Sequence, residues 1–184
     1  MKAGNVLLYS PFKTVWWCLS RGILPSLKIW FDCLCGLAIL IVTWSQYTHV
    51  VQYIGSDRYV HTRMGKVRCD KTKDFHPGYL ETAKSVLPAD FHYHYYEHDV
   101  EQAFLDQVGK KNVDPTTIPL GAPFRWLYKL GCIKRDFRYK YKYVNCTAFI
   151  AKTWNDATGG KVDWARSVDT CWVGIYPCDF IQAK

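Results

Sequence analysis

The fold is indicated most clearly by the stretch YTHVVQYIGSDRYVHT, residues 47–62. β-Branched and aromatic residues fill both halves of this stretch, and GSD at 55–57 is typical of a turn. The sequence therefore predicts a β-hairpin. Side chains alternate between the two faces of a strand, so His61 on the second strand can come alongside His49 on the first.

The second informative stretch is YVNCTAFIAKTW, residues 143–154. Asn145 is suited to cap a helix, and apolar residues follow it at helical spacing. Cys146 would then lie in the first turn, where the helix dipole lowers the pKa of a thiol. A nucleophilic thiol also needs a base and a group that orients the base. We therefore predict Cys146 as nucleophile, His49 as base and His61 as the group that holds the His49 tautomer.

The remaining pattern indicates short elements joined by loops. It predicts strands at 5–9, 65–68 and 171–176, and helices at 99–108 and 124–130. Asp99 is the predicted cap of its helix. Prolines and glycines in 71–99 and 112–123 are typical of loops. Together these elements predict an α+β fold, and the length of the chain suits a single domain over residues 1–184.

Residues 12–44 form an unusually apolar stretch between the first strand and the hairpin. Its most apolar part, 29–44, is shorter than the roughly 20 residues that a helix needs to span a bilayer. Tryptophans and the flanking Arg21 and Lys28 favour a segment that lies on a membrane or dips into it. Asp32 favours the alternative, a buried helical hairpin or a surface for a partner protein. The sequence leaves both partners open.

Charge adds a weaker indication. The net charge is +8, so anionic surfaces attract the chain. Basic and aromatic residues alternate over 134–143, which predicts a strand with one solvated face or a docking surface for a polyanion or membrane. No specific nucleic-acid partner is predicted.

The cysteines and histidines give no metal prediction. The chain has eight cysteines and no C-x2-C pair, and His92, His94 and His98 lack a clear fourth ligand. We expect neither a metal nor another cofactor. Residues 1–10 lack the order of a cleavable signal peptide, so we expect synthesis in a reducing cytoplasm with free thiols. Association with a membrane or a virion is the further expectation.

These features together resemble the circularly permuted branch of the NlpC/P60 (papain-like) superfamily, which includes lecithin retinol acyltransferase and phage and bacterial amidases. The similar segments are GNVLLY at 4–9, YTHVVQYIG at 47–55, NCTAFI at 145–150 and YPCDF at 176–180. The order His, His, Cys is reversed relative to the unpermuted enzymes. The apolar insertion at 12–44 is longer than the connection that the family has there.

The resemblance implies an antiparallel sheet packed against the nucleophile helix, with the apolar stretch as a helical insertion. It implies that Cys146 attacks an amide, ester or thioester carbonyl while His49 takes and returns the proton. His61 matches the second polar catalytic position of the family. Tyr47, Asn145 and Thr147 are the predicted substrate-binding residues.

Three functions stay open at this point. The first is a cysteine hydrolase, a thiol protease or amidase acting on a peptidoglycan peptide in a phage or bacterial setting. The second is a lipid acyl hydrolase or transferase that approaches a bilayer through residues 12–44. The third is a structural component of a virion or membrane complex that keeps the fold and docks a partner. Reactivity of Cys146 separates the third from the other two.

Overall fold

A computed structural model describes residues 3–43, 45–63, 65–86, 97–111, 117–137 and 145–182. The strands are β1 (Val6–Tyr9), β2 (His49–Gly55), β3 (Arg58–Arg63), β4 (Lys66–Lys71) and β5 (Lys84–Val86). The helices are α1 (Pro11–Ser20), α2 (Leu27–Thr43), α3 (Pro77–Thr82), α4 (Glu97–Leu105), α5 (Thr117–Lys129), α6 (Cys146–Ala157), α7 (Trp164–Ser167) and α8 (Asp179–Gln182). Short 3-10 turns lie at Thr72–Asp74 and Trp172–Gly174.

The described strands form one antiparallel sheet in the order β4-β3-β2-β1-β5. The predicted hairpin is confirmed as β2 and β3. Its turn places Ser56 and Asp57 at φ angles of 49° and 59°. A turn with two successive residues at positive φ has a backbone twist that matches the right-handed twist of the paired strands. The sheet thereby holds the strand that carries His49 between β3 and β1.

Helix α6 packs against one face of this sheet. The shared core contains Val6, Leu8, Val50, Ile54 and Val60 from the strands and Ala148, Phe149, Ile150 and Trp154 from the helix. The indole N–H of Trp154 donates a 2.7 Å hydrogen bond to Oε1 of Gln52, and both side chains are buried. Burying two polar groups costs little free energy only when they are hydrogen-bonded to each other. The pair therefore favours the one position of the helix on β2 in which this bond forms. The predicted packing of an antiparallel sheet against the helix at 146 is confirmed.

The opposite face of the sheet carries a second, smaller apolar cluster of Leu7, Tyr9, Val51 and Tyr59, packed against Phe75 and Tyr79. Both histidines of the hairpin belong to this side. The ring of His49 stacks on Tyr9 at 6.3 Å between centroids, and His61 lies 5.4 Å from Phe75. The sheet therefore separates a layer with α6 from a layer with the imidazoles.

The apolar insertion is helical, as predicted, and consists of α1 and α2. Ser10 caps α1 by accepting from the Lys13 N–H at 3.4 Å. Gly78 of α3 lets α1 approach closely, because an added Cβ there would lie 2.8 Å from the Trp17 ring. None of the helices in the described ranges is long and apolar enough to cross a bilayer.

Several predicted boundaries are wrong. The third strand extends from Lys66 to Lys71 rather than 65–68, and α3 and β5 lie in the predicted loop at 71–99. Helix α4 begins at Glu97, so Asp99 lies inside the helix and does not cap it. The stretch predicted as a strand at 171–176 contains a 3-10 turn.

Helix α5 also differs from its prediction. It begins at Thr117, within the predicted loop, and continues through Pro123. Residues 138–144, the larger part of the alternating basic and aromatic stretch, lie outside the described residues, and 135–137 form a turn. His92 and His94 are likewise outside the described residues, whereas His98 is exposed on α4.

Candidate functional site

The start of α6 is built by a polar side chain that closes the first turn. Asn145 is buried, and its Oδ1 accepts from the Ala148 N–H at 2.7 Å. Thr147 is also buried, and its hydroxyl lies 2.6 Å from Oδ1 of Asn145 and 2.5 Å from the Ile175 carbonyl oxygen. These contacts fix Cys146 as the first residue of the helix.

The Cys146 thiol reaches strand β2. The backbone N–H of Val50 donates to it, and the N–H groups of Thr147 and of Cys146 itself lie near it. Helix N–H groups of the first turn have no intrahelical acceptor, so a sulfur atom placed there satisfies them. Cys146 is thus held next to the peptide group that joins His49 to Val50.

A chain of three side chains runs across β2, β3 and β4. Nε2 of His49 lies 3.1 Å from Nδ1 of His61, and Nε2 of His61 lies 3.0 Å from Oδ2 of Asp70. A carboxylate can only accept a hydrogen bond, so Nε2 of His61 must be protonated and must donate to Asp70. Nδ1 of His61 is then unprotonated and accepts a hydrogen bond from the Nε2–H group of His49. The network therefore leaves Nδ1 of His49 as a basic lone pair.

The imidazole of His49 lies on the face of β2 that carries Tyr9, whereas Cys146 packs against the face with the main core, and no hydrogen bond joins the two side chains among the described residues. Nδ1 is the ring nitrogen nearer to the backbone, and Nε2 is the one that points to His61. The structure therefore brings His49 and His61 into contact and places Cys146 at β2 without a direct bond to either imidazole.

Burial keeps both candidate reacting groups neutral. It raises the pKa of the Cys146 thiol to about 11, against the opposing effect of the nearby N–H groups. Burial, followed by His61, Arg63 and Lys28, lowers the pKa of His49 to about 3. The expectation that the helix start would lower the pKa of Cys146 is wrong for this state, because desolvation outweighs the helix dipole. The site holds a thiol and an imidazole at neutral pH.

Cations surround the histidines. Arg63 lowers the pKa of both imidazoles, Lys28 acts on His49 and Arg68 acts on His61, while burial is the largest cause for each ring. Asp70 opposes these effects at His61. A substrate that carries negative charge close to its reacting bond would be favoured at such a site.

The three predicted substrate-binding residues lie in different surroundings. Tyr47 is buried in the main core, and its hydroxyl lies 3.5 Å from Nζ of Lys13, whose ammonium group is 5.4 Å from the ring centre. The polar atoms of Asn145 and Thr147 are engaged at the start of α6. Their binding role stays a prediction, and the contacts that the structure gives them stabilise the helix start.

Asp70 is the residue that the sequence prediction missed. It lies two positions beyond the end of the predicted third strand at Arg68. Period-2 counting along the true strand, Lys66–Lys71, would have placed Asp70 on the same face as Arg68, which pairs with His61. The missed signal was therefore the length of β4.

Two further findings bear on identity. Within the described part of the chain, no group of three or more His, Cys, Asp or Glu side chains could hold a metal ion. Comparison with protein-family models, curated proteins and solved structures finds no match to this chain. The function is therefore argued from the site itself.

Proposed function

We propose that this protein is a cysteine hydrolase that cleaves an amide bond, with a peptidoglycan peptide as substrate and a permuted papain-like (NlpC/P60) arrangement of its residues. The observation that carries the proposal is the chain from Asp70 through His61 to His49. That chain leaves Nδ1 of His49 as a base on β2, and the Cys146 thiol lies against the other face of the same strand. A carboxylate, a base and a nucleophile in this order are the parts of a nucleophilic hydrolase.

The reaction begins from the neutral pair. Because the thiol and the imidazole lie on opposite faces of β2, the proton must travel through water. As Sγ of Cys146 forms a bond to the carbonyl carbon, its proton passes through water to Nδ1 of His49, and the C=O π electrons move to oxygen. The C–N bond then breaks, and the leaving amine takes the proton from His49. Water attacks the resulting thioester with His49 as base, the S–C bond breaks, and the proton returns to the thiol.

Two features of the site support these steps. The cation that forms on the His49–His61 pair is stabilised by the Asp70 carboxylate at 3.0 Å. The N–H groups of Cys146 and Thr147, at the start of α6, can donate to the oxyanion that develops beside the sulfur. Asp70 acts through His61 and is therefore a positioning residue.

A second substrate class, an acyl lipid, is favoured by one specific observation. Lys28, at the start of α2, is close enough to His49 to lower the pKa of that imidazole. The helix that it begins exposes a row of large apolar side chains. A lipid headgroup with a phosphate would bring its ester carbonyl to the same thiol, and the bond-making steps would be unchanged.

The experiment is capture of the acyl-enzyme. The purified chain is mixed with muropeptides or with phospholipid vesicles, and with an activated acyl ester as a general probe, and the product is mapped by mass spectrometry. We expect a thioester on Cys146 and release of either an amine or a lysolipid. Cys146→Ser should remove the thioester and lower turnover by at least about a thousandfold.

Matched variants separate chemistry from folding. Cys178 is a matched control for Cys146, because it is also partly buried and burial also raises its thiol pKa. It has no role in the proposed reaction, so Cys178→Ser should leave turnover unchanged. Asp70→Asn should slow acylation by on the order of a hundredfold or more, whereas Asp74→Asn, in the turn after β4, should not. If the parent chain forms no adduct with any of these acyl donors, or if Cys146→Ser forms the adduct equally well, the protein would be a structural component instead.

A further inference from the structure

The outer side of α2 is an apolar stripe. Its large exposed side chains are Leu27, Trp30, Phe31, Leu34, Leu37 and Ile41. Their spacing of three and four residues puts them along one side of the helix. Leu27 is 89% exposed and Leu34 is 69% exposed, so most of each side chain stands clear of the protein.

The other side of α2 is fixed to the rest of the molecule. Ile29 is buried, and Gly36 is so close to its neighbours that an added Cβ would lie 3.0 Å from both Pro11 and Thr48. Asp32 accepts a hydrogen bond from the hydroxyl of Tyr79 in α3. These contacts hold the helix with its apolar stripe outward.

The turn between α1 and α2 extends this surface. Leu24, in the connection 21–26, is 88% exposed, and Ile23 beside it is also exposed. On α1, Trp16 and Leu19 add two more exposed apolar side chains. The end of the helical hairpin is therefore exposed and apolar.

The charges around the surface are mainly positive. Asp32 is the single acidic residue in residues 11–43, and its carboxylate is bound to Tyr79. Lys28 is exposed beside the stripe, and Arg63 is close enough to repel its ammonium group. Arg21 pairs with Glu81 at 3.3 Å and lies over the Trp17 ring at 4.3 Å. A bound anion would offset the repulsion between Lys28 and Arg63.

We propose that the tip of the hairpin and the outer stripe of α2 dock onto a lipid bilayer with anionic headgroups, with α2 lying in the interfacial plane. Fluid lipid accommodates apolar side chains, such as Leu24 and Leu27, that stand almost fully clear of the protein. Tryptophans such as Trp16 and Trp30 suit the level between headgroups and acyl chains, and Lys28 and Arg63 suit the phosphates above it. The proposal does not depend on Cys146 being a nucleophile.

The test is flotation of the full chain with vesicles. Phosphatidylcholine vesicles with and without phosphatidylserine are compared, and the bound fraction is measured. We expect the double variant Leu24→Ser, Leu27→Ser to lower the partition coefficient by at least about tenfold, because each leucine buried in lipid contributes apolar transfer free energy. The matched control is Trp126→Ser with Leu130→Ser, which removes exposed apolar side chains from and just after α5 and should bind as the parent does.

A second double variant, Lys28→Gln with Arg63→Gln, tests the contribution of positive charge to vesicle binding. This variant should lose most of the gain in binding that phosphatidylserine gives, and high salt should act in the same way. Equal binding to the two kinds of vesicle would overturn the choice of an anionic bilayer. Failure of the parent chain to float, or equal flotation of the leucine variant, would overturn docking itself. If the parent instead self-associates in solution and the leucine variant is monomeric, the surface is a protein contact.

Discussion

The Asp70 carboxylate determines the protonation of two rings through a single hydrogen bond. It accepts from Nε2 of His61, and this leaves Nδ1 of His61 to accept from His49. Without the carboxylate, the hydrogen bond between the rings could run in either direction, and only the direction in which His49 donates leaves its Nδ1 as a base. The position of Asp70 on β4 therefore determines which ring nitrogen of His49 on β2 is basic.

Alkylation of Cys146 tests whether the site is neutral at rest. The thiolate is the reactive form, and the pKa of Cys146 is about 11. We expect iodoacetamide to modify Cys146 more slowly at pH 7 than the exposed Cys132. The rate for Cys146 should rise about tenfold per pH unit through pH 10, as measured by peptide mass spectrometry of timed samples.

Cys132 is the internal control, because both thiols meet the same reagent in the same sample. A rate for Cys146 that reaches a plateau below pH 8 would contradict the prediction. Such a plateau would indicate a thiolate and imidazolium pair that exists before substrate binds. His49→Ala would then remove it.

At the residue scale the sequence predicted the contact between His49 and His61, but not the charge states of the site. Alternation along the hairpin was sufficient to bring His49 and His61 together. The pKa of Cys146 depends instead on burial under elements distant in sequence, and desolvation is not visible in a local motif. The role of Asp70 required the full length of β4.

At the scale of elements, the start of α6 is the structure on which the site depends. Asn145→Ala should lower the free energy of unfolding by about 1–2 kcal/mol, because the Ala148 N–H loses its acceptor inside the protein. Urea denaturation monitored by circular dichroism measures the change.

Asn145→Ser is the comparison, because a serine hydroxyl can also cap the helix. It should recover most of the loss. Equal destabilisation by alanine and serine would show that Asn145 contributes by filling space rather than by capping.

Elements with a strong local pattern were predictable, and elements that depend on distant partners were not. The hairpin and α6 carry alternation, a turn and a cap within a few residues. Strand β5, KSV at 84–86, has little strand character of its own and pairs with the edge that β1 offers. Helix α5 contains Pro123, which a local reading takes as a helix breaker. Tertiary contacts decided both cases.

For the molecule as a whole, the neutral state of His49 links the site to stability in acid. Its pKa is about 3 in the folded protein, against an ordinary value of 6.5. Between these values the unfolded chain binds a proton that the folded chain excludes, so the free energy of unfolding falls as the pH falls. The contribution is fully present above pH 6.5. It decreases by about 1.4 kcal/mol per pH unit below that value for one proton.

Urea denaturation at a series of pH values from 7 to 5 measures this slope above the range in which most carboxylates titrate. His49→Gln should make the slope shallower, whereas His98→Gln, on the exposed side of α4, should leave it unchanged. A slope that is the same in the parent and His49→Gln would show that His49 is protonated in the folded protein within this range.

The pairing of Tyr9 with His49 has a consequence for how the helical hairpin relates to the sheet. The chain leaves β1 at Tyr9 and re-enters the sheet at the residue directly opposite, so the two ends of the insertion are about 4.5–5.5 Å apart. A short β-turn could join the same two positions without changing the register. Because the entropy of closing a loop grows only with the logarithm of its length, the length of the insertion adds little to the entropic cost of pairing β1 with β2. The register of these two strands therefore does not depend on how many residues the helical insertion contains.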